Sequence, residues 1–168
     1  AAPPAAERAI FYNQGEICTA GSRLLVEESV KDQVLEHLLE ATRSYKVGDP
    51  MEAGTVIGPL ISEEYRDKVV GYIRKGTEEG AQLLCGGALE RPGYFVEPTI
   101  FDRVLPGMTI AKEEIFGPVL SVLSFKDMEE AVQLADATEY GLAAGVWTRD
   151  VGRAHSMARR LRAGTVWV

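Results

Sequence analysis

Residues 117–147 read GPVLSVLSFKDMEEAVQLADATEYGLAAGVW, and the fold turns on how this stretch is parsed. Pro118 to Phe125 is a short, strongly apolar run and predicts a strand. Asp127 and Glu130 stand three residues apart just ahead of an apolar-periodic segment, the spacing of a helix start. That helix is expected to run to about Ala137. Leu142 to Thr148 is apolar again and predicts another strand. A strand, a helix and a strand in succession build parallel sheets, because parallel neighbours need a crossover of about this length.

The alternation continues on both sides. RLLV, Arg23 to Val26, predicts a strand. A helix is expected to start at Ser29, with Asp32 in the capping-box position and Val30, Val34, Leu35, Leu38 and Leu39 on one face. VGDP (Val47 to Pro50) ends that unit, and Gly58 with Pro59 forms another break. A second helix is expected from about Ser62 to Glu79, with Tyr65, Val69, Tyr72 and Ile73 inward and Gly80 as the stop. AQLLCGG reads as a short buried strand closed by a turn. YFVEPTIF is extended, with Pro98 implying a strand edge or end. DVGRAHSMARRLRAG predicts a helix stopping at Gly164, and TVWV opens a final strand. The expected fold class is α/β: one layered domain over residues 1–168, with a mainly parallel sheet flanked by helices.

Composition narrows the function. With 168 residues, 46% apolar and 26% charged, the chain can bury a real core. Its net charge of −7, from 18 basic and 25 acidic side chains, repels a phosphate polymer, so no nucleic-acid partner is expected. The basic cluster Arg159, Arg160 and Arg162 falls near the end of a predicted helix, where cations complement the dipole. No apolar run approaches a membrane span, and AAPPAAERAI lacks signal-peptide layout. Two cysteines do not make a secreted disulfide framework, so a reducing, cytoplasmic setting is the default.

Two segments carry candidate chemistry. NQGEICTAGSR, residues 13–23, surrounds Cys18 with small residues and follows neither strand nor helix periodicity, which suggests a shaped loop holding a thiol. Free cysteine is also a common core filler, and on residue chemistry alone that alternative is favoured. AKEEIFGPVLSV, residues 111–122, sets Glu113 and Glu114 ahead of Ile115, Phe116 and a strand. The pair reads either as solvated charge or as a carboxylate at the mouth of the sheet, where a ribose diol could be held and Phe116 could lie against a flat ring. Cys85 reads as packing, His37 as the edge of an apolar helix face and His155 as exposed. No His/Cys spacing resembles a metal site, so no metal is expected.

Taken together, these residues resemble the NAD(P)-dependent aldehyde dehydrogenases. NQGEICTAGSR is similar to their nucleophile motif and KEEIFGPV to their second signature. VGDP, GPLIS, MTIAKEEIFGPVL, EYGLAAGVWTRD and AGTVWV follow in the family's order and spacing, covering the chain from about Ile10 to Val168. The resemblance implies that Cys18 is the nucleophile, attacking an aldehyde to give a thiohemiacetal, with its own N–H helping to hold the oxyanion. Hydride transfer to NAD or NADP would leave a thioester that water hydrolyses. By the same resemblance Glu114 and Phe116 belong to the cofactor site, holding the nicotinamide ribose and lying beside the nicotinamide end. Ile17 and Thr19 would face the substrate tunnel, and Asn13 and Gly15 would shape the loop. Glu16 stands where Gln is common.

The resemblance also implies parts not found here: a dinucleotide-binding domain, a water-activating Glu, an oxyanion amide and an oligomerisation segment. The first ten residues hold only Glu7 and no glycine-rich motif. The expectation is therefore a catalytic domain from a longer enzyme, itself a dimer or tetramer, with little turnover in isolation. Two alternatives remain: a relative that acylates coenzyme A, and a non-catalytic interaction domain that keeps the fold. Among substrates, the nearest resemblance is to enzymes of amino and betaine-like aldehydes.

Overall fold

A computed structural model describes residues 2–89 and 91–168. Helix α1 (Ala2–Phe11) leads through a 3-10 turn, Tyr12–Gly15, to strand β1 (Arg23–Glu27), helix α2 (Lys31–Arg43) and two short strands, β2 (Lys46–Val47) and β3 (Thr55–Ile57). Helix α3 (Glu63–Glu78), strands β4 (Gln82–Ala88) and β5 (Val96–Asp102), the single turn α4 (Thr109–Lys112) and strand β6 (Val119–Phe125) follow. Helix α5 (Met128–Ala135), strand β7 (Ala143–Gly145), helix α6 (Val151–Arg160) and strand β8 (Thr165–Trp167) complete the chain.

The main sheet has the order β1-β6-β5-β4, with β1, β6 and β5 parallel and β4 antiparallel to β5. The expected mainly parallel α/β sheet is therefore present. Strand β6 shows why its sequence is mostly apolar: both of its faces are covered. Leu120 and Val122 enter one core with Ile10, Phe11, Leu35 and Leu38 from α1 and α2. Val119 and Leu123 enter the other with Val69 and Ile73 of α3 and Ile110 of α4. Successive residues thus face opposite layers, as strand geometry demands. Ser121, one of two serines in this run, is fully buried and donates its hydroxyl to the Ile110 carbonyl at 3.0 Å.

Two helix starts follow their sequence signals. The Ser62 side chain accepts the Tyr65 N–H, and Asp127 accepts the Glu130 N–H at 2.9 Å. Gly80, at φ +95°, ends α3 as a left-handed stop. Arg23 ties β1 to α5 by donating to the carbonyls of Leu134 and Ala135 at 2.9 and 2.8 Å, closing that helix's C-terminus.

Several expectations are corrected. Ser29 does not cap α2; its hydroxyl bonds Glu27, a 3-10 turn occupies Glu28–Val30, and Val30 is exposed. Pro98 lies in an inner strand, not at an edge. Its missing N–H is tolerated because the β4–β5 register slips opposite it, between Cys85 and Gly87. Gly86, at φ +86°, sits so close to the Pro98 carbonyl that a Cβ would overlap it. AQLLCGG is accordingly a half-exposed edge strand. Strands β7 and β8 pair only with each other, in parallel, outside the main sheet. Helix α6 ends at Arg160, four residues before Gly164. Helix α1 was not expected at all, although it brings Ile10 and Phe11 into the core.

Candidate active site

The Cys18 loop begins with backbone of the wrong hand. Asn13, Gln14 and Gly15 have φ of 49°, 57° and 73°. Left-handed conformations cost an L-residue about 1–2 kcal/mol each, so Asn13 and Gln14, two in a row ahead of the permissive Gly15, keep them only if their surroundings fix them. The fixing contacts are visible. Glu16 N–H donates to the Asn13 carbonyl at 3.0 Å, and the Asn13 side-chain amide donates to the Glu16 carbonyl at 3.2 Å. Gly15 is buried against Gly117, whose carbonyl a Cβ at residue 15 would overlap.

The chain then makes a tight turn from Ile17 to Ala20, closed by Ala20 N–H donating to the Ile17 carbonyl at 2.9 Å. Cys18 and Thr19 are its two central residues, and both are exposed. Such a turn commits the N–H of its fourth residue and leaves that of its second free to point outward. Cys18 is exposed on this turn and does not pack into the core of the described residues. Ile17 is half-buried beside it. Farther on, Gly21 N–H donates to the Ala9 carbonyl at 2.9 Å, anchoring the loop to α1.

The second segment meets the first at Gly117. Phe116 has φ 58°, an outlier for a bulky side chain, so strained backbone lies on both sides of the contact. The two acidic residues differ in their commitments. The Glu113 carboxylate accepts the Tyr72 hydroxyl at 2.8 Å. Glu114 is exposed, and it is its N–H that is engaged, facing the Tyr140 oxygen at 3.4 Å. Phe116 is half-buried, with the Tyr65 ring edge-on at 6.5 Å between centroids and 86° between planes.

Tyr65 joins the two segments electrically. Burial raises its phenol pKa, and the negative charges of Glu16 and Glu114 raise it further. Tyr72 is pushed up to about 12, by burial first and then by its hydrogen bond to Glu113. Burial also raises Glu16, against the Ile61 N–H that donates to it at 3.4 Å. That contact and the Gln14 side chain lying beside Gly58 tie the cysteine loop to the GPLIS turn. Sequence reasoning placed Tyr65 and Tyr72 on the inner face of α3 without seeing this use, and gave no signal for Tyr140.

The remaining candidates lie elsewhere. Cys85 is half-buried, its thiol 3.7 Å from the Pro98 carbonyl, and burial raises its pKa. His37 and His155 are exposed, the first bonded to the Gln33 carbonyl within its own helix. Among the described residues no cluster of His, Cys, Asp or Glu could hold a metal, and no helix is long and apolar enough to cross a membrane.

Comparison with known proteins agrees with this architecture. The model of the aldehyde dehydrogenase family matches residues 1–168. A betaine aldehyde dehydrogenase from Brucella anthropi is 47% identical over 163 residues, covering 94% of this chain and 34% of that protein. An indole-3-acetaldehyde dehydrogenase solved with NAD+ superposes with a TM-score of 0.97 at 52% identity, covering 100% of this chain and 34% of that one. The aldehyde dehydrogenase KauB from Pseudomonas aeruginosa gives 0.95 at 53% identity, covering 99% and 34%. The chain belongs to the aldehyde dehydrogenase family. It spans about a third of the length of the relatives it matches.

Proposed function

We propose that this chain is the nucleophile-bearing catalytic unit of an enzyme that oxidises an aldehyde to a carboxylic acid with NAD or NADP. The observation that carries the reading is the junction of the two strained segments. An exposed thiol at Cys18 and an exposed carboxylate at Glu114 are held on loops that touch at Gly15 and Gly117. Cys18, as thiolate, attacks the aldehyde carbon and forms a thiohemiacetal. Its N–H, left unspent by the Ile17–Ala20 turn, donates to the developing oxyanion. Ile17 and Thr19, flanking the thiol, contact the aldehyde's substituent.

The residues present suit a dinucleotide's ribose end. Glu114 supplies two acceptor oxygens for a diol, and Phe116 supplies an apolar ring beside it. When bound, the dinucleotide accepts hydride; the thioester left on Cys18 is then hydrolysed. The water-activating base, the oxyanion amide and the main dinucleotide platform fall, on this reading, to parts of the enzyme beyond residues 1–168. Residues 1–168 alone are expected to give little or no NAD reduction. The relatives are named for betaine aldehyde, indole-3-acetaldehyde and γ-glutamyl-γ-aminobutyraldehyde. An aldehyde carrying nitrogen is accordingly the first substrate class to try.

The test is Cys18→Ala in the intact enzyme, assayed for NADH formation on a panel of such aldehydes. Loss of turnover with preserved folding supports the assignment. Undiminished turnover removes Cys18 from the chemistry.

A further inference from the structure

The segment between α4 and β6 has no hydrogen-bonded ladder of its own, yet it must keep Phe116 in a left-handed conformation. Such strain persists only where neighbours over-determine it. Phenol groups from two regions of the chain supply the neighbours. Tyr72 on α3 donates to the Glu113 carboxylate at 2.8 Å. Tyr65, two turns earlier on the same helix, aims its hydroxyl at the Ile115 carbonyl at 3.5 Å while its ring packs edge-on to Phe116. Tyr140, between α5 and β7, presents its oxygen to the Glu114 N–H at 3.4 Å. The first bond is short; the other two lie at the outer limit of hydrogen-bond distance. Four consecutive residues, 113 to 116, are each touched by one of three tyrosines.

We propose that Tyr72 and Tyr140 are positioning residues that hold Glu113 and Glu114, so that the exposed Glu114 carboxylate keeps one aim. This role rests on the reading of Glu114 as the grip on the cofactor ribose. The pair of acids thereby has a division of labour. Glu113 is the anchor, consumed by Tyr72, and Glu114 is the hand left free. The bond to Tyr72 is well suited to anchoring because a phenol hydroxyl donates to a carboxylate oxygen at 2.8 Å, and burial together with that bond pushes the Tyr72 pKa up to about 12.

The test uses the intact enzyme expressed from its whole reading frame, with Tyr72→Phe and Tyr140→Phe made singly and together. Both substitutions keep the ring and remove only the hydroxyl. The first readout, without cofactor, is amide hydrogen exchange across residues 113–117. Loss of one such hydrogen bond is expected to speed exchange there about fivefold. The second readout is the kinetic split: KM for NAD is expected to rise by about fivefold, with kcat at saturating NAD within about twofold of the parent. Unchanged exchange in the double variant overturns the clamp. Faster exchange with an unchanged KM for NAD overturns the positioning role. Glu114→Gln is the control for the underlying reading: if it leaves the KM for NAD unchanged, Glu114 is not the grip, whatever the exchange data show. Should Tyr72→Phe fail to fold, Glu113→Gln weakens the same bond from its other end and is judged by the same two readouts.

Discussion

Gly15 packs directly on Gly117, and no side chain fits at residue 15. The contact joins a loop 102 positions away in sequence to the turn that precedes β6, the doubly covered central strand. Cys18 lies three residues after one partner and Glu114 three residues before the other. This backbone-to-backbone contact therefore couples the loop that carries the thiol to the segment that carries the carboxylate.

Gly15→Ala tests that contact. An Ala at φ +73° costs about 1–2 kcal/mol in backbone strain. Overlap with the Gly117 carbonyl adds about 1–3 kcal/mol as the loops separate. Denaturant unfolding is expected to show a loss of roughly 2–5 kcal/mol. Gly54→Ala is the useful contrast, because that glycine, at φ +84°, has open space around its missing Cβ. It should lose only the backbone share. Equal losses at the two sites would mean that crowding at Gly117 contributes nothing.

The two thiols should differ in reactivity. Cys18 is exposed on a turn, whereas Cys85 is half-buried against the Pro98 carbonyl with its pKa raised by burial. Iodoacetamide at pH 8 is expected to alkylate Cys18 severalfold faster than Cys85, because Cys18 is exposed while burial both shields the Cys85 thiol and raises its pKa. Peptide mapping at short times checks the ratio. Comparable rates would show that Cys18 is less open in solution than its turn implies.

The layered α/β architecture was legible because its signals are local. β6 is mostly apolar, Ser62 and Asp127 carry helix-start chemistry, and Gly80 carries a stop. What stayed hidden depends on distant partners. The place of Pro98 inside the sheet follows from a register slip in β4, a property of two strands and not of one. The failure of Ser29 as a cap follows from a competing bond to Glu27. In the candidate site, Cys18, Glu114 and Phe116 could be singled out by motif. Tyr140 could not, because it reaches Glu114 from 26 positions away with nothing local to mark it.

Tyr72 gives a pH dependence with a definite sign. Its pKa of about 12 in the fold exceeds the ordinary phenol value of 10.0. Below pH 10 both the folded and unfolded phenols are protonated, and the contribution is fully present. Between pH 10 and 12 the unfolded phenol loses its proton while the folded one keeps it, so stability falls as pH rises through that window. Unfolding followed from pH 9 to 12 should show this decline, and Tyr72→Phe should make it shallower. An identical slope in the variant would mean that Tyr72 titrates normally.

Glu7 gives the same sign at lower pH, as an acid whose burial weakens the fold near neutrality. It sits on α1 with 8% of its surface exposed, and its Oε2 has no hydrogen-bond partner among the described residues. Burial raises its pKa; the Tyr45 hydroxyl and the Arg8 charge only partly oppose the shift. In the unfolded chain Glu7 ionises near pH 4.5. Below that value both states hold the proton and the fold keeps its full advantage. As pH rises, the unfolded chain releases the proton first, so stability falls until the folded pKa is passed. Glu7→Gln removes the charge and keeps the hydrogen-bonding shape. At pH 7 it is expected to stabilise the fold by about 1 kcal/mol, and at pH 4 to change it little. The gain should therefore appear on raising the pH, measured by urea unfolding of both proteins across pH 4 to 8. A variant less stable than the parent at pH 7 would show that the buried carboxylate is favourably partnered, and that its charge helps hold α1 against the core.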